Sequence, residues 1–127
     1  MVIDANILIA LADAGHVHHR VAIDVLAGLN PETPVRIHPV NAGEFLAGYS
    51  DAERAGAWDD VVAAGIALAD LPAEDEALLV GRFRYASRQK IPDVCAMVTA
   101  AHLRTELFTF DHRLRQSAEA LGIACRT

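Results

Sequence analysis

Four acidic residues stand at the edges of apolar segments: Asp4 closes Met1-Val2-Ile3, Glu44 follows Asn41-Ala42-Gly43, Asp93 follows Ile91-Pro92, and Asp111 follows Leu107-Phe108-Thr109-Phe110. Carboxylates gathered into one crevice repel one another, and some of their pKa values rise unless cations compensate. Hard divalent ions such as Mg2+ or Mn2+ are the natural partners, because they prefer oxygen ligands and keep several waters. One or two such ions can activate a water and stabilise a leaving oxygen, so a carboxylate pocket supports phosphodiester hydrolysis without a His, Cys or Lys nucleophile. The ions also reverse the local charge, which lets an acidic protein meet a polyanion.

Each acid also has a structural duty to weigh. Glu44 with Asn41 has the form of a helix capping box, Asp93 of a first-turn acid facing a helix dipole, and Asp111 of an N-cap. Asp4 is harder to explain that way, since a carboxylate ending a wholly apolar strand has few structural tasks.

The elements that must position these acids alternate along the chain. Met1 to Asp4 reads as a short buried strand and Ala5 to Leu11 as the start of a helix. His18 to Leu26 reads as a second helix, with Val21, Val25 and Leu29 at helical spacing, broken by Asn30-Pro31-Glu32-Thr33-Pro34. Val35 to His38 alternates like a strand. Caps at Asn41 and Ser50 then announce two helices, and Gly65 to Leu68 a third strand. Pro72 opens a helix reaching to about Arg88. The helix begun by Pro92 has no polar face from Val94 to Ala101 and is expected to be buried. Leu107 to Phe110 is a fourth strand, Asp111 caps the helix carrying Leu114, Ala118 and Leu121, Gly122 ends it, and Ile123 to Cys125 makes a last strand. Short apolar strands alternating with helices predict an α/β domain with a mostly parallel sheet covered on both faces. In such sheets ligands bind beyond the carboxyl ends of the strands: Asp4 ends the first strand, Asp111 follows the fourth, Glu44 lies in the helix after the second and Asp93 begins the buried helix, and all four are expected to face one crevice.

At 127 residues, with 53% apolar and 22% charged content, the chain suits one self-folding domain spanning 1–127. Two cysteines, Cys95 and Cys125, are read as reduced thiols, Cys95 as a packed core residue. With no basic, signal-like start and no apolar stretch beyond Val61–Ala69, the expected location is the cytoplasm, with no membrane partner. A net charge of -6 argues against nonspecific nucleic-acid binding, yet residues 1–63 hold three basic and nine acidic residues while residues 64–127 hold eight of each. Arg82, Arg84, Arg88 and Lys90 crowd the approach to Asp93 and are candidates to steer an anionic substrate, a solvated helix face being the simpler alternative.

Taken in order, Val2-Ile3-Asp4-Ala5-Asn6-Ile7-Leu8, Asn41-Ala42-Gly43-Glu44-Phe45-Leu46, Ile91-Pro92-Asp93 and Thr109-Phe110-Asp111 resemble the four motifs of the PIN-domain nucleases, specifically the VapC-type toxins of bacterial toxin-antitoxin systems. The resemblance covers nearly the whole chain. It implies a three-layer sandwich of helices around a parallel sheet, with Mg2+-dependent endoribonuclease activity (Mn2+ substituting) on an RNA substrate. It further implies homodimerisation and inhibition by a cognate VapB-type antitoxin. By that likeness Asp4, Glu44, Asp93 and Asp111 are the metal-binding catalytic acids, with Asn6 and Thr109 as polar supports. Ala5 stands where the family often has Thr, and His112-Arg113-Leu114 replaces the Asp or Asn and aromatic residues often found there, which leaves the share of metal binding carried by Asp111 open.

The alternative is a non-catalytic α/β protein-binding or Mg2+-dependent signalling module. A receiver-like module needs a lysine after a late strand, whereas the one lysine, Lys90, precedes a helix. A phosphatase using Asp4 as nucleophile usually places another Asp two residues on, where this chain has Asn6. His16, His18 and His19 lack the Cys or His partners of a zinc site and read as a solvated helix start. Trp58 reads as core, or else as part of a dimer or antitoxin surface.

Overall fold

The computed structural model describes residues 1–126. Among them five strands form one sheet in the order β3-β2-β1-β4-β5, every neighbouring pair parallel. The strands are β1 (Val2–Ile3), β2 (Val35–Ile37), β3 (Ile66–Leu68), β4 (Leu107–Phe108) and β5 (Cys125–Arg126). Seven helices connect them: α1 (Ala5–Ala12), α2 (His19–Ala27), α3 (Pro39–Leu46), α4 (Asp51–Ala63), α5 (Ala73–Ser87), α6 (Ile91–Leu103) and α7 (His112–Ala120). The expected α/β sandwich is what forms, with the sheet wholly rather than mostly parallel.

Strand alternation divides the interior in two. Val2 and Leu107 join Phe83, Val94, Met97, Val98, Leu114 and Ile123 on one face. Ile3, Ile37 and Phe108 join Ile7, Leu8, Phe45, Val61 and Ile66 on the other. Three layers result, because one sheet supplies apolar side chains to both faces and helices must cover each. As its missing polar face foretold, α6 is buried without a break from Val94 to Ala100. Each large side chain among these contributes about 1.5–3 kcal/mol relative to exposure. Cys95 is packed there, unpaired with Cys125, and burial pushes its thiol up to about 11. Trp58 packs against the second core as a partly buried residue.

Several boundaries differ from the sequence reading. The Asn41 cap is the main one: α3 already begins at Pro39, with His38 as its N-cap, and the His38 Nδ1 accepts the Val40 N–H at 3.0 Å. Proline at the first helical position is the stronger start signal, since its fixed φ and missing donor suit that site. Asn41 therefore lies inside the helix and is buried. Ser50 is the N-cap of α4, but its hydroxyl donates to Glu53 Oε1 at 2.7 Å and makes no cap bond to the backbone. In α2, Ala22 faces the core while Val21 is exposed. The fourth strand stops at Phe108 and the fifth is Cys125–Arg126, one to two residues from expectation. Gly122 ends α7 as anticipated, with φ +83° and the Ile123 N–H bonded to the Ala118 carbonyl at 2.9 Å.

Candidate active site

From β1 the chain winds outward through β2 to β3 on one side, and then returns to place β4 and β5 on the other. The order reverses between β1 and β4, the crevice where ligands sit in open parallel sheets. Ile3 pairs with Phe108 and with Ile37, so the next residues along the three strands, Asp4, Thr109 and His38, stand at one level beyond the carboxyl edge.

That register lets Thr109 act as a hub. Its buried hydroxyl donates to Asp4 Oδ2 at 2.5 Å and accepts the Asp111 backbone N–H at 3.0 Å. Asn6 closes the arrangement. Its Nδ2 donates to the same Thr109 oxygen at 3.4 Å, and its Oδ1 accepts the Phe110 N–H at 3.3 Å. Both polar supports named from the sequence thus connect the end of β1 to the end of β4.

Asp4 is only 5% exposed, and although its Oδ2 is held by Thr109, its Oδ1 is buried without any hydrogen-bond partner. Burial pushes the carboxyl up to about 7, the Thr109 bond opposes the rise, and the charges of Asp93 and Asp111 add to it. Asp4 precedes α1 at the N-cap position but makes no side-chain cap bond. A buried carboxylate oxygen left unsatisfied costs about 1–3 kcal/mol or more, so its retention needs a purpose.

The other acids act on one another electrostatically. Asp93, in the first turn of α6, is partly buried, and burial raises its pKa; Lys90 opposes this, while Asp111 and Glu44 raise it further. Glu44 is exposed on α3. Asp111 is the N-cap of α7, its Oδ1 accepting the N–H groups of Arg113 and Leu114 at 2.9 and 3.1 Å. The structural duty weighed for Asp111 is therefore real, and its second oxygen lacks such a cap bond. The duty weighed for Glu44 is not, because Asn41 is no cap. Instead the Asn41 Nδ2 donates to the Pro92 carbonyl at 2.9 Å and to Glu44 Oε1 at 3.4 Å.

Among the described residues no three His, Cys, Asp or Glu side chains are grouped closely enough to hold an ion by protein atoms alone. The donor set fits a hydrated hard cation all the same: such an ion needs one or two carboxylates and keeps waters elsewhere, and Asp4 Oδ1 is a carboxylate oxygen with no hydrogen-bond partner.

Of the basic stretch, Lys90 stands at the N-cap position of α6 without a cap bond and acts on Asp93, whereas Arg82 and Arg84 lie exposed on α5 and Arg88 at its end in a left-handed conformation with φ 56°. The three histidines form no metal group. His16 Nδ1 accepts the His18 N–H at 3.1 Å, His19 Nδ1 lies 2.7 Å from the Ala10 carbonyl, and His18 stacks on Phe110 with ring centroids 4.4 Å apart. That stack and the bridging role of Asn41 were not legible in sequence; only Pro39, which moves the cap off Asn41, signalled the latter. A cavity of about 830 Å³ lies away from the four acids, none of which lines it. It is an apolar groove among α1, α2, α3 and α4, bordered by Leu8, Leu11, Leu26, Phe45, Tyr49 and Val61.

The fold is a three-layer parallel α/β sandwich with Asp4 buried at its switch point and acted on by the charges of Asp93 and Asp111. The chain matches the family model described as the PIN domain over residues 1–120, and it belongs to that family. Among solved structures it resembles a toxin-antitoxin complex from Klebsiella pneumoniae, at 23% identity and a TM-score of 0.72, over 90% of this chain and 88% of that one. VapBC-1 from nontypeable Haemophilus influenzae is similar at 15% identity and a TM-score of 0.75, over 98% and 95% of the two chains. VapC20 of Mycobacterium tuberculosis, described as a sarcin-ricin loop cleaving toxin, is similar at 15% identity and a TM-score of 0.73, over 97% and 95%. At such identities the likeness establishes the fold. Among curated proteins no sequence gives a significant match.

Proposed function

We propose that the protein is a Mg2+- or Mn2+-dependent endoribonuclease that acts as the toxin of a toxin-antitoxin pair. The observation that carries this reading is the buried, unpartnered Asp4 Oδ1 at the switch point, in a crevice whose acids act on one another through space. Asp4 and Asp93 are the residues to hold a metal, with Glu44 and Asp111 completing the acidic wall. One or two ions bound there supply an activated water and positive charge at the leaving oxygen. Thr109 and Asn6 fix the rotamer of Asp4, so that Oδ1 rather than Oδ2 is presented. Lys90 and, farther out, Arg82, Arg84 and Arg88 meet the flanking phosphates.

The likeness to a solved toxin-antitoxin complex and to VapBC-1 supports an antitoxin partner of the VapB type. The apolar groove among α1 to α4 suits the nonpolar face of an amphipathic helix from it. Homodimerisation, which the resemblance implies, belongs to the same proposal and is read by sedimentation. Among the described residues no helix is long and apolar enough to cross a membrane.

The test is incubation of the purified protein with defined RNAs, with Mn2+ or Mg2+ and separately with EDTA. Metal-dependent cleavage without 2′,3′-cyclic phosphate ends is expected, because water and not the ribose 2′-hydroxyl attacks. Full activity in chelator refutes the proposal.

A further inference from the structure

We propose that Asn41 is a positioning residue that sets the separation of Glu44 and Asp93 for metal binding; this rests on reading the acidic crevice as a metal site. Asn41 lies within α3, 1% exposed, where α3 packs against the start of α6. Its amide carries two N–H donors, and they point to two different elements. One reaches the Pro92 carbonyl, adjacent to Asp93, at 2.9 Å, and the other reaches Glu44 Oε1, one helical turn along α3, at 3.4 Å.

The orientation of the amide is settled by its partners. Pro92 O and the Glu44 carboxylate are both acceptors, so a flipped amide would aim its oxygen at one or both of them. The cost of the observed orientation is visible on the other side, where Asn41 Oδ1 is buried with no partner. A leucine of similar size would fill this space without an orphaned acceptor. Holding a half-satisfied amide in the core makes physical sense if its two donors are the point.

Those donors counter a specific tendency. Glu44 and Asp93 are both acids, one on α3 and one at the start of α6, and two carboxylates brought to one site repel each other. Glu44 is exposed and free to swing into water, which would relieve the repulsion and remove an acid from the crevice. A neutral donor between the two helices ties the Glu44 carboxylate toward α6 while fixing the turn that carries Asp93. Residues that orient ligands in this way typically carry ten- to a hundredfold in metal affinity.

The experiment is calorimetric titration of the full-length protein with Mn2+ for the parent, Asn41→Leu, Glu44→Gln and the double variant. Thermal unfolding in EDTA is recorded alongside. Asn41→Leu is expected to weaken Mn2+ binding at least about tenfold. Its effect should shrink in the Glu44→Gln background, because one of the two tethered groups is altered there. Where Leu prevents folding, Asn41→Ser, smaller and still polar, is expected to weaken binding severalfold. A merely structural amide predicts lower thermal stability in EDTA with an unchanged Mn2+ dissociation constant, and that result overturns the proposal, as does full additivity in the double variant. A parent that binds no Mn2+ defeats the metal-site reading and this inference with it, an outcome distinct from equal binding by parent and variant.

Discussion

Substituting Asp4 by Asn in the metal-free protein should invert the usual expectation for removing a buried, hydrogen-bonded residue. Burial raises the Asp4 carboxyl from 3.8 to about 7. The folded protein therefore binds a proton more tightly than the unfolded chain, and this group's contribution to stability falls as pH climbs from about 4 to about 7. At 1.36 kcal/mol per pH unit, the ionised group costs the fold about 4 kcal/mol above pH 7 relative to the neutral one. An asparagine is neutral throughout, and its carbonyl can still accept the Thr109 hydroxyl. Its Nδ2 would occupy the place of Oδ1, which has no partner, at a cost of about 1–3 kcal/mol. Asp4→Asn is thus expected to be more stable than the parent by about 1–3 kcal/mol at pH 8 and less stable by a similar margin at pH 4. Urea unfolding in EDTA across that range measures the difference directly, and the contributions of distant groups cancel between the two proteins. A variant no more stable than the parent at pH 8, or a difference that does not change with pH, refutes the reasoning.

Mg2+ at a hundred times its dissociation constant should stabilise the parent by about 2.7 kcal/mol. Asp4→Asn and Asp93→Asn should gain less and lose nearly all nuclease activity; equal thermal shifts in all three would remove these aspartates from the site. Asp111→Ala should destabilise the metal-free protein by about 0.5–2 kcal/mol through loss of the α7 cap, unlike Asp93→Asn, which thermal unfolding in EDTA distinguishes. Thr109→Val removes the donor to Asp4 and the acceptor of the Asp111 N–H; it should cost about 1–3 kcal/mol and push the Asp4 pKa further up, as seen by carboxyl titration in NMR spectra.

Hydrophobic periodicity made most of the fold legible, because a parallel sheet buried on both faces turns each strand into a short apolar run and each crossover into a helix. The unbroken apolar stretch of α6 and the glycine after α7 were readable for the same reason. Asp4 stood out as a candidate because a carboxylate ending a wholly apolar strand has few structural duties, whereas Asp111 also caps α7. The sequence could not disclose the partnership of Thr109 with Asp4, since residues 105 positions apart meet only through strand register. Asn41 misled because an Asn-x-x-Glu spacing suits a capping box as well as it suits a buried amide bonded along one helix turn. Pro39 was the arbiter, and the chain offered no local sign that Pro92 lay opposite. The surroundings of Asp111 show the two kinds of duty combined in one side chain, with one oxygen capping α7 and its charge acting on both Asp4 and Asp93.

The central claim is that Asp4 Oδ1 is a metal ligand waiting in a shared acidic crevice. Crystals of the protein soaked in Mn2+ and measured at the manganese absorption edge test it most directly. An anomalous peak in contact with Asp4 Oδ1 and facing Asp93 is the predicted result. A peak elsewhere, at the His16–His18 group for example, or no peak at Asp4 from crystals grown above pH 7, contradicts it.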